Sequence, residues 1–484
     1  DALQVVAHGL MDVRDASGGA QIGALASEYS TLEELALLGR VTRGLGSENI
    51  DFRLRQTDAS LDAALTGAPW LGFPVAELDT LDRVLVVGSF LRKDHPLMTQ
   101  RLRQAAKRGT QISSIDIAGD DPLLKLTARA TVLPDALAQT VAQVAVALSK
   151  LKAQDVPAVL SAVEPDAVAQ AIAQSLASGE RVAILLGNAA VNAPTATTIA
   201  ANAQLIAELT GAKLGFLTSG ANTVGGYLAG AVPVKGGKGA AAMLSQPLKA
   251  YMVLHAEPNL DADNGAQALA TLQAAEFVVA LTPFASGARE WANVMLPIAP
   301  FTETSGTFVN AQGTAQSFKG TATPRGQSRP AWKVLRVLGN VLHLAGFDDE
   351  SSESVRDAVM ANGVEGRLSN QLQAAPALSA APIQGLQRVT DVPIYRSDAL
   401  VRRAPALQAT AASRTPTARM HPQTLDGLGI KTGEQVRVKS STGQVSLSAE
   451  VDNTVVPGAV RIAAAFEQTV ALGSAFGQLQ VERA

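Results

Sequence analysis

Thiolate chemistry is closed to this chain. Its 484 residues include no cysteine, which removes disulfides, thiolate-held iron–sulfur clusters and cysteine-built zinc sites. The five histidines, His8, His95, His255, His343 and His421, lie far apart. None forms a metal-binding pair at helical spacing, so each reads as a surface or packing residue. Asp120-Asp121 and Asp348-Asp349 are adjacent carboxylates in loop-like surroundings, and they read as solvated turns, not as a general acid–base pair. Lys235-Gly236-Gly237-Lys238-Gly239 has the composition of a phosphate cradle. No strand-like run leads into it, and it reads as a basic loop. Residues 219–233, SGANTVGGYLAGAVP, are glycine-rich but contain neither a GK[ST] ending nor a GxGxxG. The passage at residues 291–320 is poor in charge and rich in Thr, Ser, Gly and Asn. It follows the strand-like FVVALT at 277–282, and Gly306, Gly313 and Gly320 let its backbone turn tightly or approach another surface. It reads as a loop on the open end of a sheet.

The elements that must position these residues alternate. Residues 1–20 read as a polar lead-in, followed by a short strand and turn at 23–27. Ser30 or Thr31 caps the next helix, with Glu33 and Glu34 in its first turn, where the helix dipole favours negative charge. Residues 82–90, DRVLVVGSF, form a nearly continuous apolar run ending in Gly-Ser, which reads as a buried parallel strand and its turn. A helix to Arg108 and a strand at 111–117 complete a βαβ unit. Helices interrupted near Pro157 and Pro165 lead to a second buried strand, RVAILLG at 181–187, its loop at 188–194 and a helix at 195–209. Strands follow at 214–217, 249–254 and 277–282. This alternation implies a doubly wound α/β fold. Residues 332–344 read as an amphipathic helix and 348–385 as a linker with one or two helices. Beyond 396 the period becomes two, with glycine turns, which implies antiparallel strands.

Composition sets outer bounds. Hydrophobic residues make up 47% and charged residues 17% of the chain, enough apolar content for a sizeable core. The net charge of -3 argues against nucleic acid as the main partner, because phosphate binding needs clustered Lys and Arg. No apolar run reaches the roughly 18 residues needed to cross a bilayer, so direct membrane insertion is not expected. The chain opens Asp1-Ala2-Leu3 without Met or a signal pattern and reads as a piece of a longer protein.

Ala292-Asn293-Val294-Met295-Leu296-Pro297, followed by Glu303-Thr304-Ser305-Gly306-Thr307-Phe308-Val309-Asn310, resembles the A-D-x-x-L-P … E-x-x-G-T-x-x-N signature of the molybdopterin oxidoreductase family. Asn293 stands where that family has Asp. With Ala311-Gln312-Gly313 and the 219–233 loop, the chain is most similar to the large iron–sulfur subunits of bacterial NADH-quinone oxidoreductases, respiratory complex I. The resemblance implies α/β lobes and a C-terminal six-stranded barrel. It places Arg55 where catalytic relatives carry the Cys, Ser or selenocysteine that binds molybdenum. A guanidinium is permanently protonated and has no lone pair for a metal; on composition alone, Arg55 also reads as a surface ion-pair residue. The VGSFLRKDHP turn corresponds to the family's pterin-guanosine contact, and RRAPALQATAASRT at 402–415 lacks the usual pterin-binding pattern. The resemblance therefore leaves Arg55, Gly88, Ser89, Gly187, Asn188, Gly220 and Gly306 as residues of a vestigial pocket, with no catalytic or metal-binding residue.

The domains expected are residues 1–80 as the first part of an α/β domain, 81–240 as a Rossmann-like domain, 241–395 as the second part of the α/β domain, and 396–484 as the barrel. The function the resemblance implies is a non-catalytic scaffold within the subunit that carries electrons from NADH toward quinone. No cofactor is expected in this segment. Iron–sulfur clusters belong to a cysteine-rich N-terminal part of the family, and the partners are other subunits of the complex I peripheral arm. The implied location is cytoplasmic, on the peripheral face of the inner membrane. Two alternatives remain: a molybdopterin-dependent oxidoreductase using Asp51 as ligand, and a metal-free nucleotide- or pterin-binding module.

Overall fold

Short aliphatic runs that are buried along their whole length form the strands, as expected for parallel sheets covered on both faces. The computed structural model describes residues 1–234, 236–378 and 382–484. Lys235 of the basic loop and residues 379–381 of the linker lie outside the described residues. β1 (Ile22–Ala26) and β2 (Ile50–Asp51) begin one sheet. β3 (Arg83–Val87), β4 (Gln111–Asp116), β5 (Ala128–Thr131), β6 (Val182–Leu186) and β7 (Lys213–Phe216) make a second. β8 (Ala250–Leu254), β9 (Phe277–Thr282) and β10 (Val294–Pro297) complete the first. β11 (Gly306–Val309) and β12 (Ala315–Phe318) pair as a hairpin. β13 (Leu386–Val389), β14 (Ala418–Met420), β15 (Gln435–Lys439), β16 (Gln444–Val451), β17 (Ala459–Arg461) and β18 (Gln478–Arg483) close a barrel.

The chain folds into two compact units, each assembled from three separate stretches. The first comprises Asp1–Gln56, Gly220–Arg367 and Tyr395–Thr410; the second comprises Thr57–Ser219, Leu368–Ile394 and Ala411–Ala484. The first unit holds the all-parallel sheet β10-β9-β8-β1-β2. The second holds the all-parallel sheet β5-β4-β3-β6-β7 and the barrel. In each sheet the order reverses beside the central strand, between β1 and β8 in one and between β3 and β6 in the other. Such reversal points leave a crevice at the carboxyl ends of the strands, where α/β proteins bind ligands. The doubly wound lobes are therefore present twice. The barrel's β15–β16 and β15–β18 ladders are antiparallel, while β13–β17 and β14–β16 run parallel. Its first strand, β13, precedes residue 396, where the sequence changes period.

Other expectations need correction. Residues 2–17 are not a polar lead-in but a helix, with Val6, Leu10 and Val13 buried along one face. The spacing i, i+4, i+7 marks that face, and intervening polar residues mask it. The 291–320 passage is not wholly loop: it contributes edge strand β10 and the β11–β12 hairpin. Thr307, Phe308 and Val309 of β11 pack in a sheet because β-branched and aromatic residues suit a pleated surface. The glycine-rich 219–233 stretch contains the helix Thr223–Leu228, and the loop after β6 begins with a single helical turn, Asn188–Val191. The helix Leu32–Gly44 starts as expected. Thr31 Oγ1 accepts from Glu34 N at 3.2 Å, and Glu34 Oε2 accepts from Thr31 N at 2.9 Å, a reciprocal cap worth about 1 kcal/mol.

Candidate functional site

At the reversal point of the second unit, backbone turns pack directly on each other. Gly88, following β3, has φ +64, and a Cβ there would lie 2.5 Å from Ala190 N. A Cβ on Gly187, following β6, would lie 2.4 Å from Ser89 Cβ. Glycine is required at both positions, by left-handed backbone at Gly88 and by close approach at each. The structure thus brings Gly88, Ser89, Gly187 and Asn188 together. Ser89 Oγ and Asn188 Oδ1 are buried and make no hydrogen bond among the described residues. Beside them, Asp116 at the end of β4 accepts from Ser114 Oγ at 2.8 Å and pairs with Arg129 Nε at 2.9 Å. Burial pushes the Asp116 carboxyl up to about 6 against the pull of Arg129. Burial also depresses His95 to about 4, so this imidazole is neutral and packed. The space between the turn after β3 and the loop after β4 is only about 20 Å³, room for one water-sized molecule.

A buried cation ties the barrel to that edge. Arg461 on β17 is fully buried; it pairs with Asp120 at 2.5 Å and with Asp391 at 2.9 Å. Its guanidinium lies 4.9 Å from the Phe90 ring centroid. Lys93 adds a contact to Asp120 at 3.2 Å. Burial would raise Asp120, but the hydrogen bonds and charge of Arg461 hold it well below the usual carboxylate range. Asp120 is therefore an anchor, not a solvated turn residue. Asp349, which also reads as a turn residue, instead pairs with Arg40 at 2.8 Å. Asp94 shares the Arg461 cluster, and burial pushes its carboxyl up to about 7.

The first unit holds Arg55, Gly220 and Gly306. Arg55 is not a surface ion-pair residue: it is partly buried, and its Nη2 donates to Leu260 O at 2.7 Å. Burial pulls its guanidinium below the ordinary value, with nearby Asp261 opposing. Asp51 is also committed. Its Oδ1 accepts from Arg53 N and Nε at 2.9 and 2.8 Å, and its Oδ2 accepts from Ala240 N at 2.9 Å. Gly306 packs so that a Cβ would meet Thr31 Cγ2 at 2.4 Å, and Gly220 so that one would meet Glu28 Cγ at 2.4 Å. Asn293 is exposed, and its Oδ1 accepts from Val278 N at 2.7 Å, which fixes the start of the β9–β10 pairing.

Sequence reasoning misses two arrangements here. Arg402, only 3% exposed, pairs with Glu257 at 3.0 Å and Asp261 at 2.8 Å; both carboxylates belong to the turn after β8. Arg403 also reaches Glu257, donates to Ser286 Oγ at 3.0 Å and stacks on Phe284. Asp398 caps the short helix Ala399–Arg402 through Leu400 N and Val401 N. The available signal is the paired arginine in a stretch otherwise poor in charge, opposite the acidic HAEPNLD run. The second arrangement is His255–Glu34. His255 has φ +55, an uncommon left-handed conformation for a non-glycine residue. Its Nε2 lies 3.3 Å from Glu34 Oε2. Burial would raise Glu34, but its interaction with His255 and the hydrogen bonds from His255 and Thr31 bring the carboxyl below its ordinary value. The pair is separated by more than 200 residues in sequence, with no spacing rule to join it.

Two parallel-sheet units interleaved in sequence, one carrying a six-stranded barrel, define a large α/β fold with a crevice in each sheet. The solved acetylene hydratase from Pelobacter acetylenicus shares this fold, with a TM-score of 0.74 over 100% of this chain and 89% of that chain at 14% identity. The Molybdopterin oxidoreductase family model matches residues 1–341, and the Molydopterin dinucleotide binding domain model matches residues 388–480. The chain belongs to the molybdopterin oxidoreductase family. It is similar to the G subunit of the NADH-quinone oxidoreductase of Mycobacterium bovis and to that of Mycobacterium tuberculosis, each 28% identical over 93% of this chain and 57% of the relative. The chain thus spans just over half the length of these curated relatives. A shorter match, 37% identical over 67 residues, covers 14% of this chain and 9% of the mitochondrial NADH-ubiquinone oxidoreductase 78 kDa subunit of Candida albicans. These relatives bear out the resemblance to NADH-quinone oxidoreductase drawn from the motifs.

Proposed function

We propose that this chain is a non-catalytic scaffold region of the large iron–sulfur subunit of an NADH-quinone oxidoreductase, which passes electrons from NADH toward quinone. The observation that carries the reading is Arg55. In the slot that the resemblance assigns to the molybdenum ligand stands a guanidinium, which offers no lone pair and is directed to a backbone carbonyl. The donor set does not fit a molybdenum cofactor: cysteine is absent, and Asp51 is spent on Arg53 and Ala240. Arg402 and Arg403, in the stretch aligned with the family's pterin contacts, are engaged by Glu257 and Asp261. Arg55, Gly88, Ser89, Gly187, Asn188, Gly220 and Gly306 are proposed as residues of a vestigial site.

The proposed partners are the other subunits of the complex's peripheral arm, on the cytoplasmic face of the inner membrane. No described helix is long and apolar enough to cross a membrane, which agrees with attachment through partners. The test is metal analysis together with pterin fluorescence on the purified, denatured chain. The expected result is neither molybdenum nor tungsten and no pterin. One metal atom per chain overturns the scaffold reading, and pterin without metal replaces it with a nucleotide-type binding module.

A further inference from the structure

At the reversal point of the first unit, the strand ends enclose a cavity of about 430 Å³, the size of sites that hold small organic ligands. Its floor includes Ser27 after β1 and His255 after β8, and its walls include Phe284, Phe301, Phe308 and Leu400. Phe301 and Leu400 are 53% and 41% exposed, which gives an apolar mouth. No lysine or arginine is among the described residues that line it, whereas Glu34 and Asp398 both do. A phosphate or carboxylate would meet two acidic side chains and no lining cation, the nearby Arg403 behind Phe284 being held by Glu257, which disfavours its desolvation. Aromatic walls instead match a flat apolar ring system.

His255 decides the polar end. A neutral imidazole that gives its Nε2–H to Glu34 keeps Nδ1 as an acceptor. Glu34 lies beneath it, 1% exposed, and fixes this tautomer. Among the described residues no hydrogen bond to His255 Nδ1 is present. We infer that this cavity binds an uncharged aromatic small molecule that donates one O–H or N–H to His255. This goes beyond the scaffold reading and does not depend on it: the ligand carries no phosphate, and binding involves neither a metal nor electron transfer.

The test uses the 484-residue chain and three probes of one ring size: 2-naphthol, its methyl ether and 2-naphthoate, followed by isothermal titration. The naphthol is expected to bind one to one, about tenfold tighter than the ether, which lacks the donor. The naphthoate should bind at least about tenfold more weakly than the naphthol because of its charge. His255→Gly, which tolerates the left-handed backbone, should erase the naphthol-over-ether preference. In the unsubstituted chain, the ¹⁵N imidazole resonances of one histidine should shift on adding the naphthol, and this reads the contact even if the variant does not fold. Leu400→Trp should block the mouth and abolish binding of all three probes with an unchanged unfolding midpoint. Failure of all three probes to bind the unsubstituted chain overturns the inference. So does naphthoate binding as tight as the naphthol, or a naphthol preference that survives in His255→Gly.

Discussion

The two units solve one packing problem with the same device and reach opposite outcomes. Each has a five-stranded parallel sheet with a reversal point, and each receives a late-arriving, nearly buried arginine on carboxylates from strand-end turns: Arg402 on Glu257 and Asp261, Arg461 on Asp120 and Asp391. In the second unit, the turns at the reversal point touch, Gly88 against Ala190 and Gly187 against Ser89. A space of only about 20 Å³ lies to one side of them, between the turn after β3 and the loop after β4. In the first unit, β8 is followed by His255, whose side chain projects where a glycine would leave only backbone, and about 430 Å³ stays open. Strand order alone creates the opportunity for a site. The residues in the first turn after each central strand decide whether it is used or filled.

The largest effect that would break the comparison comes from the arginines. Arg461→Met leaves Asp120 and Asp391 with only the more exposed Lys93 as counter-charge and should cost about 3–5 kcal/mol, read as the loss in unfolding free energy by urea titration. Arg402→Met should cost less, about 2–3 kcal/mol, because Arg403 still holds Glu257. Equal costs would show that the two latches are not graded by their spare partners. Gly88→Ala should cost about 3–4 kcal/mol, combining left-handed strain with overpacking against backbone. Gly211→Ala, also at positive φ but with open space around it, should cost only about 1–2 kcal/mol. A similar loss at both would mean that the turns at the reversal point are not tightly packed.

The pH dependence sharpens the same contrast. Asp94 has its folded pKa raised to about 7 from 3.8. The folded state therefore favours its protonated form, and the stability this group supplies is complete below about pH 4 and lost as pH rises through 7. Asp94→Asn should raise stability by about 1–2 kcal/mol at pH 8, after allowing for partial solvent screening, and change little at pH 4. Equal gains at both pH values would separate the effect from ionisation. In the first unit the sign is opposite. Glu34 has a lowered pKa, so its contribution is present above its unfolded value of 4.5 and is lost as pH falls through the folded one. The smallest effect is Thr31→Ala, about 1 kcal/mol from the lost helix cap, measured by the same urea titration.

Local rules in the sequence carry the strands and their order of appearance. DRVLVVGSF and RVAILLG announce β3 and β6 because burial on both faces demands uninterrupted aliphatic residues. Thr31 and Glu34 announce a helix start because capping is decided within four residues. Gly88 and Gly187 stand out for their strand-end position, and the structure packs them together. The interactions that are not legible are all long-range. Arg461 looks like an outward residue between Val460 and Ile462, and only barrel closure turns it onto Asp120. Arg402 gains its meaning from Glu257 and Asp261, and His255 from Glu34. Partners so distant in sequence share no period, so residue type alone makes His255 a packing residue and Asp120 a turn. The hairpin at 306–318 is hidden for another reason: its Gly, Thr and Ser content satisfies turn and strand chemistry alike.

The interleaved chain path has a consequence for synthesis on the ribosome. β1 lies inside its sheet, yet its neighbour β8 emerges only after the whole 57–219 stretch has been made. Until then the open flank of β1 presents unpaired amides and carbonyls, a template for wrong pairing. The intervening stretch already contains all five strands of its own sheet and can collapse while β1 waits. Nascent-chain release just before residue 250 should therefore yield a protease-resistant core from the inserted stretch alone, and the N-terminal 56 residues should be the first to be digested.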